Sequence, residues 1–134
     1  MTEVVPRFTV AAAPGRVRAL FEGHEVADSA SALVLSETGY PPVVYFPRAD
    51  VQMSVLKAND HVSTCPFKGT ATWFTIMRDA KIVENVAWSY ETPIDDANII
   101  AGHIAFAPEH VDLETDGEAE PIRHVPPMDP PYAE

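Results

Sequence analysis

Proline sets the limits on what this chain can build. Thirteen of its 134 residues are proline, against six glycines. A proline inside a helix removes a hydrogen bond and clashes with the preceding turn. Inside a central strand it removes a ladder bond. Pro14, Pro41, Pro42, Pro47, Pro66, Pro93 and Pro108 therefore cut the chain into short pieces. The expectation is many short elements joined by well-defined loops. The length suits one domain, and a chain of this size buries roughly two-thirds of its unfolded surface, enough for one core without metal or disulfide staples.

Within those pieces the apolar residues alternate. Residues 1–13 read as an N-terminal arm, and Pro14-Gly15 punctuates the start of the domain. Val17, Ala19 and Phe21 alternate with Arg18, Leu20 and Glu22, a period of two, and Glu22-Gly23 supplies a hairpin turn. Residues 31–37, SALVLSE, are β-prone, and VVYF at 43–46 reads as a short buried strand. Val51, Met53 and Val55 suggest a short extended stretch; residues 57–66 show little pattern and read as a loop. FKGTATWFTIMRD is the clearest strand, returning through a turn at 79–81 into IVENVAWSY. IDDANIIAG predicts one or two helical turns before Gly102, and residues 103–113 finish the sheet. The segment from Glu114 is acidic, carries five prolines and lacks apolar periodicity, so it reads as a loose tail. The fold class expected is mainly β: a single compact antiparallel domain over 14–113, with at most one short helix.

Acidic residues outnumber basic ones by 20 to 9, for a formal charge of -11. Such a surface repels phosphate backbones and anionic lipids, so nucleic acid and membrane are not expected partners. A lone cysteine, Cys65, can form neither an internal disulfide nor a Cys-rich zinc site, and the expected compartment is a reducing cytoplasm. The N-terminus has Glu3 early and its apolar run is broken by Pro6 and Arg7, which does not read as a secretory signal. Edge strands allow a homodimer.

YFPRADV (45–51), CPFKGTATWF (65–74), AWSYETP (87–93) and IAGHIAFAP (100–108) occur in that order, preceded by VRALFEGHEVADS and LSETGYPPVVYFP. In these boxes the chain resembles the family called domain of unknown function 427, over roughly residues 16–113. The resemblance implies a small, mostly β domain of the β-tent type, without the zinc cysteines of similar folds. A nucleotidyltransferase-like label is sometimes attached to the family. That chemistry wants a Gly-Ser followed by paired aspartates to hold magnesium, and the chain has no such arrangement. Asp95-Asp96 sits beside a helix start, where acids are favoured anyway.

Two of the boxes each carry a cation, Arg48 and Lys68. If their strands lie close, both heads reach one cleft and bind a small anionic or polar molecule, with Arg supplying a planar fork and Lys a point charge. Asp50 would orient Arg48, and Tyr45, Trp88 and Tyr90 would line the wall. The plainer alternative pairs Arg48 with Asp50 or another carboxylate and leaves Lys68 in solvent, a surface pair contributing about 0–1 kcal/mol. Cys65 lies three residues before Lys68, whose ammonium would lower the thiol pKa. The second functional reading is thus an enzyme with catalytic Cys65 and Lys68, drawing a base from His24, His61, His103, His110 or His124. The plainer alternative is a small buried thiol. Phe67, Trp73 and Phe74 are candidates for the aromatic wall or for plain core. The histidines lack metal-binding spacing, and neither metal nor cofactor is expected. A third reading makes the chain an interaction module whose acidic tail docks a partner.

Overall fold

A computed structural model describes residues 8–37, 39–65, 68–78 and 80–115, without the side chains of Phe8, Asp95 and Asp96. The readings placed on Phe67, on His124 and on the tail beyond Thr115 lie outside the described residues.

The strands of the described residues pair antiparallel. β1 is Phe8–Ala12, β2 Val17–Phe21, β3 His24–Ser29, β4 Leu33–Glu37 and β5 Val43–Tyr45. β6 is Leu56–Cys65, β7 Gly69–Arg78, β8 Lys81–Tyr90, β9 Ala105–Phe106 and β10 Asp112–Thr115. They form three sheets, ordered β1-β4-β5, β10-β2-β3 and β6-β7-β8-β9. The only helical segments among the described residues are 3-10 turns at Arg48–Asp50, Met53–Val55 and Asp95–Ile100. None is long and apolar enough to cross a membrane.

The four-stranded sheet is covered on both faces. On one, Phe74, Ile76, Ala87 and Phe106 pack with Val17, Ala19, Phe21 and Val26 from the β2–β3 hairpin. On the other, Ala71, Trp73, Trp88 and Tyr90 pack with Leu35, Val43 and Tyr45. Period-two alternation does this sorting, since Trp73 faces Trp88 across the strands while Phe74 faces Ala87. Tyr45, Trp88 and Tyr90 are among the largest fully buried side chains. At 150–250 Å² buried per ring, each contributes about 4–6 kcal/mol of gross burial before entropy is charged.

Four expectations change. Residues 8–12, read as part of an N-terminal arm, form β1, which pairs with β4 in register from Phe8↔Glu37 to Ala12↔Leu33. Residues 57–65, within the segment 57–66 read as a loop, belong to the ten-residue edge strand β6. Its pattern was hidden because both its faces are largely exposed and its register with β7 jumps between Ala58 and Val62. Met53 and Val55 lie in a 3-10 turn rather than an extended stretch, while Val51 bridges Ala27. Residues 112–115 do not finish the sheet that β8 and β9 belong to but pair with β2.

Candidate functional site

Lys68 lies between the end of β6 and the start of β7. Its backbone N–H donates to the Cys65 carbonyl at 3.2 Å, and its carbonyl accepts from the Ile94 N–H at 3.0 Å. Gly69 follows with φ of +115°, a conformation open to glycine and avoided by L side chains. The side chain does not point into solvent. It is fully buried, and Nζ donates to Glu37 Oε1 at 2.8 Å. Glu37 closes β4 two residues after Leu35, and alternation gives it the face on which Leu33 and Leu35 meet the aromatic cluster. The carboxylate is as sealed as the ammonium, at 2% side-chain exposure against 0%.

The cluster beside this pair holds most of the residues singled out in the sequence. Tyr45, Trp88, Tyr90 and Cys65 all pack in it, each at most 1% exposed. Trp88 Nε1–H donates to Tyr45 Oη at 3.3 Å. The Trp73 and Trp88 rings lie 5.2 Å apart, tilted by 43°, and Trp73 Nε1–H donates to Ser63 Oγ at 2.9 Å. Cys65 offers Lys68 its backbone carbonyl, while the ammonium is bonded to Glu37.

Arg48 is elsewhere. It opens the 3-10 turn after Pro47 and reaches over Phe74, with Cζ 5.7 Å from the ring centroid. Phe74 belongs to the opposite face of the four-stranded sheet from Trp73, Trp88 and Tyr90. Nη1 donates to Glu91 Oε2 and to the Gly102 carbonyl, each at 3.0 Å. The side chain is 42% exposed, and Nε and Nη2 have no protein partner among the described residues.

The two cations expected to share a cleft are therefore separated by a sheet and joined to different carboxylates. Asp50 does not orient Arg48: its Oδ2 accepts from Ser29 Oγ at 2.7 Å. Arg48 follows Phe46, whose backbone exchanges hydrogen bonds with Ile104 beside β9, and this aims it back across the Phe74 face. Lys68 lies outside the alternation of β7, so spacing could not give its direction. Glu37, Glu91 and Gly102 were missed as partners. Only Glu37 left a signal, being two and four residues beyond Leu35 and Leu33 in a β-prone run.

These features define a small, mainly β domain with a sealed ion pair in an aromatic interior and a half-open guanidinium on the other side of the sheet. The chain belongs to the family described as Domain of unknown function (DUF427), whose model matches residues 9–117. No curated protein matches it.

Proposed function

We propose that this domain binds a small anionic or polar molecule at Arg48. The carrying observation is the state of the guanidinium: half exposed, laid over Phe74, and anchored through Nη1 alone. The Nε–Nη2 edge is a planar pair of donors held in place, which suits the two oxygens of a carboxylate or one edge of a phosphate. Because Nη1 is already fixed, the ligand orders less of the side chain on binding. Glu91 offsets part of the positive charge, which favours a ligand with one negative group over a polyanion. Lys68 supports the fold rather than the ligand, and Cys65, buried beside an ammonium that bonds Glu37, gives no comparable support to thiol chemistry.

A thermal-shift screen with phosphate, nucleotides and small carboxylates at fixed ionic strength tests this. The informative variant is Arg48→Gln, because Lys68→Ala would strand a buried carboxylate. At least one anion should raise the melting temperature of the wild type and leave Arg48→Gln unmoved. Equal shifts in both proteins, or none in either, would refute the proposal.

A further inference from the structure

The outer end of the four-stranded sheet is built around two bulges set back to back. Between the pairs Ala58↔Phe74 and Val62↔Thr72, residues 59–61 of β6 stand opposite the single residue Trp73. Between Phe74↔Ala87 and Ile76↔Val83, residues 84–86 of β8 stand opposite the single residue Thr75. Bulges of this kind re-aim side chains and end regular pairing. Here Asn59 fills the gap. Its Nδ2 donates to Thr75 Oγ1 at 2.9 Å and to Asn85 Oδ1 at 3.0 Å, and its Oδ1 accepts from the His61 N–H at 2.8 Å. Asn85 stands at φ of +60°, a left-handed conformation that asparagine adopts more readily than most residues.

Two hollows flank this peg. One, of about 330 Å³, is lined by Lys57, Ala58, Asn59, Asp60, Thr75 and Met77. The other, of about 250 Å³, is lined by Asn59, Asp60, His61, Glu84 and Asn85. Asn59 and Asp60 belong to both. The Lys57 ammonium and the Asp60 carboxylate have no hydrogen-bond or ion-pair partner among the described residues. Met77 is 45% exposed and supplies an apolar wall beside them. The second hollow carries acids, Asp60 and Glu84, and no lysine or arginine.

We infer that these hollows form a site for a small zwitterion of the amino-acid type, separate from Arg48. Its carboxylate meets Lys57, its ammonium meets Asp60 on the side of Glu84, and its apolar side chain lies on Met77. A mixed lining of one cation, acids and a thioether wall fits that charge order better than an anion or a cation alone, since either would leave one unmatched charge against it.

The test is an amide NMR titration of the full chain with leucine, isovalerate and isopentylamine at fixed ionic strength. The last two have the same branched carbon tail but only one of the two charges. Leucine should give saturable shifts at residues 57–60, 75 and 84–85. Lys57→Gln and Asp60→Asn, both surface changes, should each weaken it by about tenfold. Binding of either single-charge probe as tight as leucine would overturn the inference. So would leucine shifts unaffected by both variants, or no saturable shift at all. Arg48→Gln should leave the titration unchanged, so failure here is distinct from failure of the Arg48 site.

Discussion

Lys68 and Glu37 face each other out of reach of water, and the cost of placing them there decides how substitutions behave. Desolvating two ions costs several kcal/mol each, and their mutual attraction offsets this only while both are present. Lys68→Met or Glu37→Gln alone should destabilise strongly, with Lys68→Met costing about 3–5 kcal/mol because it leaves a carboxylate sealed and uncompensated. The double variant Lys68→Met with Glu37→Leu should recover most of that loss. Urea denaturation of the four proteins closes the cycle; additive losses in the double variant would contradict a tight coupled pair. Arg48 is the opposite case. Its bond to Glu91 lies at the surface and contributes about 0–1 kcal/mol, so Arg48→Gln is a safe probe of binding.

At the scale of elements, two hairpins each close over two residues, and the second of the two differs. β2 and β3 meet at Phe21↔His24, where Glu22 at φ of +50° is followed by Gly23 at +83°. β7 and β8 meet at Arg78↔Lys81, again with two residues between, but Ala80 stands at φ of +65°. A residue with a Cβ is strained there by roughly 1–2 kcal/mol. Ala80→Gly should therefore raise stability by about 1 kcal/mol, read as a higher urea midpoint at unchanged slope, after the greater freedom of glycine in the unfolded chain is charged. A lower midpoint would contradict the strained turn.

The β2–β3 hairpin also carries a pH dependence. Arg16 donates through Nε and Nη2 to both oxygens of Asp28, with the Nε bond at 2.6 Å. That hydrogen bonding, opposed by desolvation and aided by the charges of Arg16 and Arg18, holds the carboxyl below its ordinary value of 3.8. A depressed folded value means the pair's contribution is complete above the ordinary value and lost as pH falls below it. Following the Asp28 carboxyl carbon by NMR should show a low titration in the wild type and a return toward the ordinary value in Arg16→Gln. No difference between the two would contradict the pairing.

β2 was legible because one face of it is buried and alternation records it, and β7 because it is a long β-prone run, buried at Ala71 and Trp73 on one face and at Phe74 and Ile76 on the other. β6 was not, because an exposed edge strand with a bulge leaves no apolar period to read. The candidate site divides the same way. That Arg48, Lys68, Tyr45, Trp88 and Tyr90 matter to the structure could be read from the boxes that hold them. Which side of the sheet each occupies could not, because Arg48 follows a turn and Lys68 precedes a positive-φ glycine, both outside any strand's alternation.

For the whole molecule, the four-stranded sheet acts as a partition. One face meets the β2–β3 hairpin and carries Arg48; the other meets β4 and β5 and seals the ion pair. With a formal charge of -11, long-range forces disfavour anions near the chain, so a bound anion depends on local geometry at one fork. The most direct test observes that fork. In a two-dimensional NMR titration, the Nε–Hε resonance of Arg48 should shift saturably with the anion selected by the thermal-shift screen, at constant ionic strength. An Arg48 resonance that stays fixed while that anion stabilises the protein would contradict binding at Arg48.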